Sequence, residues 1–316
     1  MDSIERYRIL DSGDYLAGFD SGEVQLLTTG GGPFQGHCAR APLGALEIAW
    51  GLEQQPRVAF VALRSERAVF SFPTHPESTI ILCGEPVLFG QLAWHPPGAQ
   101  FHERSMSGTQ WGRIHVPIEI LGSIGEHGGG GIHNVEFPQY IAVPEPQLHH
   151  ALLSIFNNII APAMPTLGNE YVPENATLMG AKLFGFLTDC LKTARFLSPT
   201  IANRRRHTAM LQFQRNLAGW SEQPMHIQDI CARLNVPPRT LEDYCYAELG
   251  VAPYRYLRLY RLAQVRKALL AATPATINIS TVSRRYGFLD LGRFAATYRA
   301  AFDELPSQTL ARAPLV

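Results

Sequence analysis

In the stretch GFLDLGRFAATYRAAFDELPSQTL, residues 287–310, Phe294, Tyr298 and Phe302 recur at every fourth position. Wound into a helix they occupy one face, so Gly292, Arg293 and Ala296 point the other way, toward water. Two small residues beside one arginine make a thin edge carrying a planar pair of donors. Such an edge can approach guanine through O6 and N7, and an alanine can touch a thymine methyl. Base-reading chemistry is therefore expected at Gly292, Arg293 and Ala296. An upstream segment, RTLEDYCYAELG, turns Arg239, Thr240 and Asp243 outward with Glu242 on the flank. Its carboxylates are repelled by phosphate yet can accept from cytosine N4. Arg255, Arg258, Arg284, Arg285 and Arg299 are expected to meet phosphate, against the competing reading of solvated surface charge.

The elements that would hold these two edges come from an internal repeat. IQDICARLNVPPRTLEDYCYAELGVAPYRYL (227–257) aligns with ISTVSRRYGFLDLGRFAATYRAAFDELPSQTL (279–310). Ile230 matches Val282, Leu234 matches Tyr286 and Asn235 matches Gly287. One extra residue in the second turn then brings Leu241 to Phe294, Cys245 to Tyr298, Pro253 to Pro306 and Leu257 to Leu310. Each unit reads as helix, tight turn, helix, with Asn or Gly where a positive φ is needed and Val236 or Phe288 as an apolar plug. Asp290 suits the N-cap of the second unit's outer helix. In the first unit Pro238 suits N1, and Pro237 leaves the cap without an acceptor. The connection reads as a helix from Tyr254 to about Ala271, about 27 Å long at 1.5 Å per residue. That length suits two reading helices about 34 Å apart, one turn of duplex.

The 316 residues balance 27 Lys+Arg against 27 Asp+Glu, but the charges are segregated. Residues 1–199 hold 11 basic against 19 acidic, a balance of −8; residues 200–316 hold 16 against 8, a balance of +8. A basic module joined to an acidic one is the footprint of a phosphate-backbone binder. No apolar run approaches the roughly 18 residues of a membrane span. MDSIERYRIL lacks the apolar core of a secretory signal, so a cytoplasmic setting without membrane partners is expected. Cys38, Cys83, Cys190, Cys231 and Cys245 lie far apart without a CxxC pair. They are expected to be reduced and mostly buried, and neither a disulfide framework nor a structural zinc site gains support.

Residues 1–150 are read as a β-rich domain, an all-β sandwich or barrel. VQLLTT, ALEIAWG, RVAFVALR, STIILC, EPVLFGQLAWH and GRIHVPIEIL are short strand-like runs between turn signals, Pro96, Pro97 and Gly98 among them. GEHGGGGIHN (125–134) lacks the Lys-Ser/Thr of a phosphate loop. Residues 151–210 are read as a helical linker or dimerisation region, and residues 211–316 as the helical domain of the repeat. Within the linker Leu183, Leu187, Cys190, Ala194 and Leu197 are expected to form one helical stripe, either packed on the β domain or paired across a dimer.

On the evidence of RTLEDYCYAELGVAPYRYLRLYRLAQVRKAL and VSRRYGFLDLGRFAATYRAAFDELPSQTL, residues 210–312 resemble the AraC/XylS family of bacterial transcription regulators; GRF-x3-Y-x3-F with ELPSQTL is similar to the XylS-like branch. The resemblance implies a seven-helix domain with two helix-turn-helix units, reading adjacent major grooves of double-stranded DNA with helices near 238–248 and 290–302. It further implies a β-rich, often cupin-like N-terminal domain that senses an effector or dimerises, a homodimer, and contact with RNA polymerase; no cofactor is expected. The fold class is thus α+β and multidomain. Four departures stand out: Asp303 where the family has Gly, Pro237 for Ser, Cys245 for Phe, and Asp243 where a basic or amide residue is commoner. Asp303 is expected to leave the second outer helix less cleanly ended, and Asp243 puts base contact by the first unit in doubt.

Two other readings of the β domain are kept. As a cupin-type metal enzyme it would draw on His95, His102, Glu103 and His115, which lack the closely spaced HxH and following Glu of such sites. It could also serve only to dimerise. As a sensor it would hold a small molecule among Trp50, Trp94, Trp111 and Phe101, with His37, Arg40 or His102 as polar anchors.

Overall fold

The computed structural model describes residues 5–9, 22–30, 34–125, 140–161, 175–222, 226–272 and 278–312. Two antiparallel sheets account for the first half. The larger runs in the order β1 (Glu5–Ile9), β3 (Gly36–Leu43), β4 (Leu46–Glu53), β11 (Thr109–Pro117), β6 (Arg67–Pro73), β9 (Leu92–His95), β12 (Tyr140–Val143), β13 (Arg195–Leu197). The smaller is β2 (Gly22–Thr28), β5 (Arg57–Leu63), β10 (Gln100–Ser105), β7 (Ile80–Leu82), β8 (Glu85–Val87). The turn at Pro96–Gly98 joins β9 to β10, with Gly98 at φ 74°. The GEHGGGGIHN loop lies, after its first residue, outside the described residues.

Period-two alternation sorts the side chains into layers. On β6, Ala68, Phe70 and Phe72 face one way and Val69 the other. The first set, with Ile48 and Trp50 of β4 and Ile114 and Val116 of β11, meets two helices, α2 (Pro146–Ile160) and α3 (Ala176–Thr193). The second set, with Val61 of β5, Phe101 of β10 and Trp111 of β11, fills the space between the sheets. A third layer covers the outer face of the smaller sheet. There Leu27 and Val58 join Met210, Phe213, Leu217 and Trp220 of α4 (Ile201–Glu222).

Several segments differ from their sequence reading. IEIL is not the end of a strand: β11 stops at Pro117 and α1 (Ile118–Gly125) begins there. EPVLFGQLAWH divides into β8 and β9 around Gly90, at φ 92°. β3 and β6, absent from the expected strands, each pair on both sides within the larger sheet.

The linker also divides. α2, α3 and β13 pack with the β domain, and α4 alone crosses to the helical one. The expected five-residue stripe is broken, because α3 ends at Thr193 and Ala194 is extended. Leu197 lies on β13, opposite Ile141. Leu183, Leu187 and Cys190 are completely buried in the intrachain core, so they are not free to pair across a dimer. The reason is close approach: a Cβ on Gly180 would lie 2.2 Å from the Leu43 carbonyl oxygen, so α3 sits directly on β3.

Candidate nucleic-acid interface

The first unit consists of α5 (Ile227–Leu234) and α6 (Pro238–Leu249). Asn235 ends α5 in the left-handed region at φ 53°, a conformation asparagine tolerates better than most residues. Pro237 and Pro238 hold the cap and first helical positions of α6. Leu241, Cys245 and Leu249 are buried against α4 and α5, which leaves Arg239, Glu242 and Asp243 exposed and Thr240 half-buried.

The second unit repeats this construction with α8 (Ile279–Arg285) and α9 (Leu291–Phe302). Gly287 takes φ 81° in the turn, and the Asp290 carboxylate accepts from the Arg293 backbone N–H at 3.0 Å. Phe294 and Tyr298 are buried, while Gly292, Arg293 and Ala296 are exposed, Arg293 by 90% of its side chain. The outward edge inferred from spacing is therefore present on both helices. The 53-residue offset also makes the edges correspond, since Arg239, Thr240, Asp243 and Tyr246 occupy the places of Gly292, Arg293, Ala296 and Arg299. Tyr246, 52% exposed, extends the first edge by a turn. It was missed because an aromatic residue in an amphipathic helix reads as core; its spacing of three from Asp243 was the available signal.

α7 (Pro253–Leu270) connects the units as one unbroken helix of 18 residues, about 27 Å. Its first half gives Tyr256, Leu257 and Tyr260 to the first unit's core, and its second half gives Leu262, Val265 and Leu269 to the second's. α10 (Pro306–Ala311) closes the second unit. There Glu304 accepts from Arg266 at 2.6 Å, from Thr309 at 2.7 Å and from Arg312 at 3.1 Å, while the Tyr298 hydroxyl meets Thr309 at 2.8 Å. Arg258, Arg284, Arg285 and Arg299 are exposed, as phosphate contacts would have to be. Arg255 is exposed too, but it donates to the Thr29 carbonyl of the β domain at 2.7 Å.

A helix-turn-helix domain family model matches residues 230–312. A probable thc operon regulatory protein of Rhodococcus erythropolis is 34% identical over 98 residues, 31% of this chain and 30% of that protein. The XylDLEGF operon transcriptional activator of Pseudomonas putida is 41% identical over 73 residues, 23% of each chain. The C-terminal region holds a helix-turn-helix domain. The chain spans less than a third of the length of these relatives. Among solved structures, the AraC-like transcriptional activator CuxR is similar at a TM-score of 0.43 and 16% identity, covering 82% of this chain and 94% of that one.

Two of the departures noted in the sequence now have a structural account. Asp303 does not blur the end of α9: it adopts φ 55° itself and its N–H bonds to the Arg299 carbonyl at 2.8 Å. Cys245 is fully buried among Leu241, Leu249 and Tyr256, where burial pushes its thiol well above the usual range. All five cysteines are buried, and none of them is joined in a disulfide.

The pocket residues proposed from sequence are not brought together. Trp50 and Trp94 face the helices α2 and α3, Phe101 and Trp111 lie between the sheets, and His102 points out of the smaller sheet toward the helix-turn-helix domain. Adjacent residues on one strand, Phe101 and His102, necessarily face opposite sides. His37 is half-buried, and Arg40 pairs with Glu47 at 2.9 Å. A cavity of about 350 Å³ is lined by His75, Glu77, Met106 and Gln110 among others, none of them in the proposed set.

The metal-enzyme quartet also separates. His95, Glu103 and His115 lie between the sheets, whereas His102 does not. Glu103 is held by Arg57 and by Arg113, the latter at 2.7 Å; burial pushes its carboxyl up, but the two guanidinium charges and their hydrogen bonds outweigh this and bring it down to about 2. Burial, reinforced by the Arg113 charge, lowers His95 to about 3 and His115 well below the usual imidazole range.

What does come together is a polar seam between the domains. His102 Nδ1 lies 3.2 Å from Glu248 Oε2 near the end of α6, and its Nε2 is 3.3 Å from Gln214 of α4. Gln214 accepts from the Tyr256 hydroxyl at 3.0 Å and donates to Gln25 of β2 at 2.8 Å. Arg206 of α4 donates to Glu85 at 2.7 Å and to the Cys83 carbonyl at 2.8 Å.

Proposed function

We propose that the chain is a sequence-specific, DNA-binding transcription regulator of the AraC/XylS type. Gly292, Arg293 and Ala296 of α9, and Arg239, Thr240, Glu242 and Asp243 of α6, would read base edges in adjacent major grooves. Arg258, Arg284, Arg285 and Arg299 would hold phosphate. Arg255 would do so on leaving Thr29. One observation carries the proposal: two copies of the same device, with corresponding exposed edges, are set on a single stiff helix. The +8 balance of the C-terminal 117 residues supplies the attraction such an interface needs.

The β domain, with its boundary between Leu197 and Ile201, is proposed to regulate this module through a small molecule or through homodimerisation. RNA polymerase is the further partner that an activator requires. Selection of bound sequences from random duplex DNA tests the proposal. The expected site has two short blocks about 34 Å, one helical turn, apart. Recovery of a single block, or of no consensus, would overturn it.

A further inference from the structure

The seam contains a group of ligand atoms that the DNA-reading proposal does not use. Cys83 Sγ, one ring nitrogen of His207 and one carboxylate oxygen of Glu248 all lie within 4.8 Å of one another, and all three residues are buried. They come from three separate elements: the β7–β8 turn, α4 and α6. We propose that these residues form a zinc(II) site that staples the first reading helix to the β domain.

Sulfur, imidazole nitrogen and carboxylate oxygen are the donor set zinc prefers. A tetrahedral zinc keeps its ligand atoms roughly 3.3–3.7 Å apart, so side-chain rotations of about 1 Å bring the three donors onto the ion and leave its fourth position to water. Glu248 is fully buried. Its Oε2 meets His102, whereas its Oε1 accepts no hydrogen bond among the described residues and faces Arg206 Nε at 3.6 Å. His102 thus stands behind the ligand as the outer partner that orients a metal-bound carboxylate. The charges also balance. Loss of the thiol proton gives one thiolate and one carboxylate against a dication, and Arg206 remains neutralised by Glu85 at 2.7 Å.

Turn geometry adds an independent indication. Cys83 and Gly84 form the two-residue connection of a hairpin, with φ of 49° and 79°. Such turns favour asparagine, aspartate or glycine at the first position, and a cysteine there carries a cost in backbone strain. The site stands whether or not the chain binds DNA.

The test is zinc titration of the reduced 316-residue chain against a chromogenic chelator, with cobalt(II) substitution to report a thiolate charge-transfer band. About one equivalent should bind. Cys83→Ser and His207→Gln should each weaken binding more than about 100-fold, and His102→Gln about 10-fold. Cys83→Asn removes the ligand while supplying the residue the turn favours, so it should fold at least as well as the parent and lose the metal. Absence of stoichiometric binding by the parent, or retention of zinc and the charge-transfer band by a folded Cys83→Asn protein, would overturn the site.

Discussion

Arg293 is the side chain on which base recognition is most exposed to test. Its contact with Asp290, 3.6 Å between Nε and Oδ2, is solvent-facing and contributes little, so the guanidinium is available at small cost. Arg293→Ala should cost about 1–3 kcal/mol of DNA affinity and relax one position of one block, as measured by binding to single-base variants of the selected site. A uniform loss across all sequences would make Arg293 a phosphate contact instead. His95 makes a separate prediction about stability. Its folded pKa, about 3, lies below the 6.5 of the unfolded chain, so the unfolded state takes up the proton first. The stability that neutral His95 contributes is therefore complete above pH 6.5 and drains away as the pH falls toward 3. In urea unfolding between pH 8 and 5, His95→Asn should flatten the profile below 6.5 by up to about 1.4 kcal/mol per pH unit. An unchanged slope would mean that the imidazole titrates alike in both states.

At the scale of the element, the ends of α9 are set by two aspartates in opposite roles. Asp290 caps its start through a side-chain acceptor, so Asp290→Ala should lose about 1 kcal/mol in thermal or urea unfolding. Asp303 ends it in the left-handed region, and Asp303→Gly, relieved of the Cβ conflict, should gain up to about 1 kcal/mol. These helix ends were legible in the sequence because capping is local: Asp290, Asn235 and Gly287 act on backbone groups a few residues away. So were the reading edges, which follow from a 3.6-residue period over a single turn or two. The end of α3 was not. KTARFL continues the apolar spacing of the helix, and what ends it is the pairing of β13 with β12, a contact formed across some fifty residues of chain. β3 escaped notice for a similar reason: GHCARAPL alternates weakly, with both faces needed inside a layered domain. The pocket residues form no group because aromatic residues near in sequence lie on opposite faces of the larger sheet or on different sheets. The Cys83–His207–Glu248 group had no local signal at all.

For the whole molecule, the charge split and the seam are the features that matter. If Arg258, Arg284, Arg285 and Arg299 each neutralise a phosphate, Arg284→Ala should reduce the slope of log affinity against log salt by about 1 and weaken all sequences equally. An unchanged slope would return Arg284 to plain surface charge. The seam can be probed at Gly250, where α6 ends at φ 72° and an added Cβ would lie 2.5 Å from Arg104 Nη1 and 2.7 Å from its Cδ. Gly250→Ala should cost about 1–2 kcal/mol through backbone strain and crowding, and should speed proteolysis between the domains. An unaltered digestion rate would show that Arg104 swings aside freely.

Leu27 and Val58 of the smaller sheet lie in the same apolar cluster as Phe213, Leu217 and Trp220. A recombinant piece starting near residue 211 would keep those side chains packed on the helical domain but lose the cover that Leu27 and Val58 give them. It should therefore be sticky, self-associating through a surface that the intact polypeptide keeps covered. A dimer detected with such a piece would report the cut, not the native assembly.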